Sequence, residues 1–186
     1  MKSALLAFLV LAQQGPNKAV DLKVGDAAPV FESVDDAGKS WKSADIVGKK
    51  ILVVYFYPAS FTGGCTKQAC GFRDDLKPLN EKGVEVVGIS GDTPRTQGLF
   101  RKAQQLPFAL LADEKGAAAG AFGVPVKPGG SVKQTIDGKE ETLTRGVTLA
   151  RWTFIIDAQG KIAYKNTQVN AAEDSKAVLE AIKKLQ

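Results

Sequence analysis

The chain has 186 residues, a length suited to one domain, and its 44% hydrophobic and 24% charged content is that of a soluble globular protein with its own core. The net charge of +5 comes from lysines scattered along the chain without a basic block or interleaved aromatics, so no nucleic-acid surface is expected. Histidine is absent and cysteine occurs twice, which excludes Ser-His and Cys-His dyads, leaves too few ligands for a tetrahedral zinc shell and gives no expectation of a metal or other cofactor.

Met1-Lys2-Ser3 supplies a short positive start, and Ala4 to Ala12 is an uninterrupted apolar stretch. Val10 and Ala12 stand as small residues ahead of Gln13-Gln14-Gly15-Pro16, the pattern of a secretory signal peptide. The stretch falls well short of the roughly 20 apolar residues of a spanning helix, so no stable membrane insertion is expected. Residues 1–20 are therefore expected to be a leader and residues 21–186 the working domain, exported to the periplasm or beyond. An uncleaved start on a cytoplasmic protein is the competing reading.

Val24-Gly25-Asp26-Ala27-Ala28-Pro29 reads as an entry loop, and Asp36-Ala37-Gly38-Lys39 as a turn between two short extended pieces. Ile51–Tyr57 is a continuous apolar run rich in β-branched and aromatic residues, which suits a central strand buried on both faces. Cys65, Ala69, Phe72, Leu76 and Leu79 are spaced for one face of a helix, with Pro78 expected to end or kink it just before that residue. Val84–Ser90 and Phe108–Ala112 are two more strands. Between them Thr93-Pro94 is a cap and first-position pair for a helix expected to bury Leu99, Ala103 and Leu106. Pro125 to Gly146 is the least regular segment, and its Asp137-Gly138 turn points to a small inserted hairpin. Thr153–Asp157 and Lys161–Lys165 flank a turn and are expected to pair antiparallel. Asn170 with Glu173 resembles a capping box ahead of Val178, Ile182 and Leu185. Alternating strands and helices of this kind imply an α/β fold, with the last hairpin making the sheet mixed.

Cys65 and Cys70 concentrate the chemistry. The run Tyr55-Phe56-Tyr57-Pro58-Ala59-Ser60-Phe61-Thr62-Gly63-Gly64-Cys65 is a strand, a proline stop, a turn and a helix start with a thiol in its first turn. Orphan N–H groups and the helix dipole favour negative charge there, and the thiolate is the nucleophilic form of cysteine. Thr62 is placed at the N-cap, where its hydroxyl is also within reach of the sulfur or of whatever approaches it. Pro58 ends the strand and is expected to shield the site from bulk water.

The spacing Pro58-x-x-x-Thr62-x-x-Cys65 resembles the active-site motif of the peroxiredoxins. The longer stretch through Cys65-Thr66-Lys67-Gln68-Ala69-Cys70-Gly71-Phe72-Arg73-Asp74 is similar to the subfamily called bacterioferritin comigratory protein or peroxiredoxin Q. The likeness extends over Val24–Pro29, Val84–Asp92 and Arg151–Asp157. It departs at Gly63, where the subfamily often has proline, and over 125–146, which is longer here than in many relatives.

The resemblance implies a thioredoxin-like fold, a central mixed sheet flanked by helices on both faces. It implies a peroxidase for hydrogen peroxide and alkyl hydroperoxides, reduced by a thioredoxin-like protein and often monomeric. Cys65 would be the peroxidatic cysteine, Arg151 the arginine that stabilises its thiolate, and Cys70 the resolving cysteine that closes a Cys65–Cys70 disulfide. On an intact α-helix residues five apart have Cα atoms on the order of 8.7 Å apart. That exceeds the ~7 Å limit for a disulfide, so the bridge would require the helix to unwind. The competing readings are a thiol–disulfide oxidoreductase acting on proteins, which normally uses Cys-x-x-Cys, and a non-catalytic domain stabilised by a permanent disulfide.

Overall fold

A computed structural model describes residues 20–185; of the expected leader, only Val20 lies among them. Nine strands and five α-helices follow in chain order among the described residues. They are β1 (Glu32–Asp35), β2 (Ser40–Lys42), β3 (Ile51–Phe56), α1 (Gly63–Asp74), α2 (Leu76–Glu81), β4 (Val84–Ser90), α3 (Pro94–Gln104), β5 (Ala109–Ala112), α4 (Ala117–Ala121), β6 (Val126–Ile136), β7 (Lys139–Leu149), β8 (Trp152–Ile156), β9 (Ile162–Asn166) and α5 (Asp174–Lys183). Seven of the strands form one sheet in the order β2-β1-β5-β4-β3-β8-β9. The central β5-β4-β3 run is parallel, and the outer strands join it antiparallel.

Strand β3 is apolar throughout because both of its faces are covered. Leu52, Val54 and Phe56 enter one cluster with Phe31, Phe122 and Phe154, which α4 helps to close. Val53, Tyr55 and Tyr57 enter the other, where α1, α3 and α5 contribute Phe72, Phe100, Val178 and Ile182. Helices thus lie on both faces, with the larger share on the second. Each fully buried side chain of this size contributes roughly 1.5–3 kcal/mol of hydrophobic stabilisation, and the Tyr55–Phe72 stack at 4.8 Å ties α1 directly to the central strand.

Three local expectations are corrected. Helix α1 ends at Asp74 rather than at Pro78: the chain kinks at Asp75 (φ −92°, ψ 6°) and resumes as α2, with Pro78 in its first turn. There the missing N–H is harmless, since it would have had no partner in that helix. Helix α3 starts on the Thr93 cap as expected, its hydroxyl accepting from the Thr96 N–H, but it buries Thr96, Gln97 and Phe100 while Leu99 and Ala103 are only half-buried. The Gln97 amide donates to Ser90 Oγ and to the Leu111 carbonyl, so a polar residue faces inward to serve the ends of β4 and β5. At α5 no capping box forms. The Asn170 side chain instead accepts from the Ala172 N–H, and Glu173 holds the cap position without a side-chain cap bond.

The 125–146 segment is a hairpin, and a long one: β6 and β7 have 11 residues each and turn at Asp137 and Gly138, both with positive φ. Its base docks beside the end of β4, where the Gly146 N–H donates to the Gly91 carbonyl and the Thr93 N–H to the Thr144 carbonyl. A Cβ on Gly91 would stand 2.0 Å from the Val147 carbonyl oxygen, so only glycine allows this approach. No helix among the described residues is long and apolar enough to cross a membrane.

Candidate active site

Cys65 is the third residue of α1 and is 1% exposed. The loop that delivers it, from Tyr57 to Thr62, is held from three sides. The Tyr57 N–H continues the sheet to the Ile89 carbonyl, and the Ser60 N–H donates to the buried Asp92 carboxylate at 2.8 Å. Phe61 adopts φ 63°, a left-handed conformation that costs a bulky residue roughly 1–3 kcal/mol. Its ring, 5.2 Å from that of Phe100, helps to hold it there.

Arg151 reaches the sulfur, its Nη2 donating to Cys65 Sγ at 3.2 Å. The sheet explains the encounter. Strand β8 pairs antiparallel with β3 in a register that sets Trp152 opposite Phe56, so the residue before Trp152 arrives beside the loop that follows Phe56. The second guanidinium nitrogen, Nη1, donates to Gln68 Oε1 at 2.5 Å. The Gln68 Nε2 donates in turn to Asp174 Oδ2 at 2.7 Å, which also accepts from the Thr153 hydroxyl at 2.7 Å. Burial holds the Asp174 carboxyl above the usual carboxylate range, offset by the Thr153 and Gln68 hydrogen bonds and the Arg151 charge.

Thr62 occupies the N-cap position by its backbone (φ −81°, ψ 149°), but its side chain does not cap the helix. Its hydroxyl turns back into the loop and donates to the Ala59 carbonyl at 3.0 Å, which corrects the expected cap. The first-turn N–H groups of α1, the turn that carries Cys65, therefore receive no side-chain cap from Thr62. Pro58 follows the end of β3 and, half-buried, lines a cavity of about 250 Å³ with Pro125, Lys127, Thr148, Leu149 and Ala150 at the hairpin base.

Cys70 is half-buried on the same unbroken helix, and both thiols are free. Its neighbours differ from those of Cys65: Cys70 Sγ donates to Gln104 Oε1 at 3.6 Å, at the end of α3. Gln68, Asp92, Thr153 and Asp174 were not singled out from the sequence. For Gln68 a signal existed, since it sits three residues after Cys65 and shares that side of the helix with an otherwise apolar set.

The sequence pattern of the AhpC/TSA family matches residues 24–165. Peroxiredoxin Bcp of Escherichia coli K12 is 37% identical over 162 residues, which cover 87% of this chain and 96% of that protein. The chloroplastic peroxiredoxin Q of Populus jackii is 40% identical over 144 residues, 76% of this chain and 60% of that one. Among solved structures, the peroxidoxin BcpB of Mycobacterium tuberculosis superposes with a TM-score of 0.74 at 30% identity, covering 89% of this chain and 99% of its own. The chain belongs to the AhpC/TSA family, and within it to the peroxiredoxins of the Bcp and peroxiredoxin Q type, which are thiol-dependent peroxidases.

Proposed function

We propose that Cys65 is the peroxidatic cysteine of a two-cysteine cycle completed by Cys70. The Cys65 thiolate attacks one peroxide oxygen, the O–O bond breaks, and the alcohol or water leaves with a proton while Cys65 becomes a sulfenic acid. Cys70 then displaces water from that sulfenic acid and closes the Cys65–Cys70 disulfide. A thioredoxin-like dithiol protein returns both thiols and takes up the disulfide. The observation that carries this reading is the Arg151 guanidinium at 3.2 Å from a sulfur on an uncapped helix start. A cation and free N–H donors stabilise the thiolate and the charge that develops on the peroxide. Thr62, whose proton is committed to Ala59, offers its oxygen as an acceptor for the peroxide O–H, and Pro58 shields the loop from water. Burial of Cys65 disfavours the alternative, a thiol–disulfide oxidoreductase, because a sulfur 1% exposed admits a small peroxide more readily than a protein disulfide. The leader reading makes the enzyme an exported one, and the likeness to the peroxiredoxin Q subfamily makes it a monomer.

Titration of the reduced protein with one equivalent of hydrogen peroxide tests the cycle. Both thiols are expected to disappear together, and Cys65→Ser to prevent the loss of the remaining one; an unchanged thiol count in the native chain would overturn the reading. A second outcome concerns Gly64, whose added Cβ would stand 3.2 Å from Arg151 Nη2. Gly64→Val is expected to displace the guanidinium and slow the single-turnover reaction about tenfold, the equivalent of ~1.4 kcal/mol. Gly64→Ala, which asks only a small shift of a flexible side chain, should slow it far less.

A further inference from the structure

We propose that Asp174 is the positioning residue of this site. It fixes the Gln68 amide and through it Arg151, and the same contact latches the turn of α1 that must open before Cys70 can reach Cys65. The proposal rests on the two-cysteine cycle above and adds to it a single carboxylate, on the far C-terminal helix, that governs both of its steps.

The argument is one of donors and acceptors. Asp174 Oδ2 accepts from the Thr153 hydroxyl, and an accepting oxygen takes only a donor opposite it. Asp174, 2% exposed, therefore obliges the fully buried Gln68 to present its NH2 group, and the Gln68 Oε1 faces the other way. That oxygen accepts from Arg151 Nη1, which leaves Nη2 for the sulfur. Without Asp174 the amide is free to rotate, and the guanidinium loses the support that aims it. Thr153, on β8 two residues beyond Arg151, donates to the same Asp174 oxygen and fixes the carboxylate against the strand that follows Arg151.

Gln68 also lies between the two cysteines. Any unwinding that brings Cys70 to Cys65 moves Gln68, and with it a buried hydrogen bond to Asp174 and a part-buried one from Arg151. The position is a poor one for mere structural adhesion, because Asp174 Oδ1 is buried with no hydrogen-bond partner among the described residues. A buried carboxyl left half satisfied opposes folding, and an apolar side chain would hold α5 better. Helix α5 nonetheless sits tightly on α1 here: a Cβ on Gly71 would stand 3.0 Å from Ser175 Oγ. Gly71 permits this close approach.

The test uses the full reduced chain, hydrogen peroxide as the probe, and two readouts: rapid-mixing rates of the two oxidation steps, and hydrogen exchange of the α1 amides. Asp174→Ala is expected to slow the peroxide step and speed disulfide closure, each by about tenfold. The same variant should raise exchange of the amides from Thr66 to Cys70 about tenfold while the central strands keep their protection. Asp174→Asn, whose oxygen still accepts from both Gln68 and Thr153, is expected to keep both rates within about threefold of the native chain. If Asp174→Ala does not fold, Gln68→Met carries the same expectation, since it removes both bonds at nearly constant volume. Opposite shifts of the two steps with selective exchange in α1 support the proposal. Unchanged rates and exchange in a folded variant, or an Asn variant as defective as Ala, overturn it. If the native chain itself loses no thiols to peroxide, the cycle is wrong, and the exchange readout alone decides the latch.

Discussion

Arg151→Met lowers the rate at which reduced Cys65 consumes peroxide by about a hundredfold. The number follows from what the side chain touches. A hydrogen bond to a charged group contributes about 1.5–3 kcal/mol, and losing one donor aimed at developing charge costs about 10²–10³ in rate. Arg151 supplies such a donor at 3.2 Å from the sulfur, and methionine replaces its length without its charge. The substitution also leaves Gln68 Oε1 without its partner, a buried acceptor whose desolvation costs about 1–3 kcal/mol. Thermal unfolding should accordingly shift downward, and the rates have to be measured well below that transition. Arg151→Lys separates charge from geometry. One ammonium cannot replace the fork that serves sulfur and amide together, so lysine should restore only part of the rate. The measurement is a single-turnover rapid-mixing experiment without reductant. A Met variant within threefold of the native rate would remove Arg151 from the chemistry.

The dependence of the site on Arg151 marks where sequence reading reached its limit. Cys65 was legible because the elements that frame it are local: a strand, a proline stop and a helix start lie within 15 residues of chain. Strands β3, β4, β5 and β8 were legible because burial leaves nearly unbroken apolar runs, and β9 because a turn sets it against β8. The proximity of Arg151 to Cys65 was not, because it is a property of register. It exists only once β8 has paired with β3 so that Trp152 faces Phe56, and no spacing along the chain encodes that pairing. The resemblance supplied what the local argument lacked. Gln68 and Asp174 escaped for a related reason, since a glutamine among apolar helix positions and an acid in a helix's first turn each have an ordinary local explanation. Thr62 was placed correctly at the helix boundary, yet its hydroxyl was expected to accept from the first-turn N–H groups of α1. It donates instead to the Ala59 carbonyl, within the turn through Phe61. The misplaced inward face of α3 has the same origin, because Gln97 is buried to serve the Ser90 hydroxyl and the Leu111 carbonyl, which belong to other strands.

Cys70→Ser divides the cycle into its halves. The first encounter with peroxide is expected to proceed at the native rate, since Cys70 contacts Gln104 and not the Arg151 network. Steady-state turnover with a thioredoxin-like reductant is expected to vanish, and intact-mass measurement should find Cys65 advancing to the sulfinic acid as peroxide is raised. The stronger consequence is conformational. Both cysteines sit on one continuous helix from Gly63 to Asp74. At five residues' separation their Cα atoms are on the order of 8.7 Å apart in regular helix geometry, outside the ~7 Å a disulfide tolerates. Closing the bridge therefore has to dismantle helical turns, and those turns carry Gln68 out of its contacts with Arg151 and Asp174. Oxidation of the native chain should lower its helical circular dichroism and expose the α1 amides to exchange, whereas oxidised Cys70→Ser should keep both signals of the reduced state. A Ser variant that lost the same helicity on oxidation would show that sulfenic acid formation alone opens the helix. Continued turnover by that variant with reductant would show instead that the reductant attacks Cys65 directly, and Cys70 would have no part in the cycle. In the proposed cycle the disulfide forms only at the expense of the Arg151 and Asp174 contacts of the site, so the oxidised chain is expected to be inactive toward peroxide until the bridge is reduced and the helix rewinds.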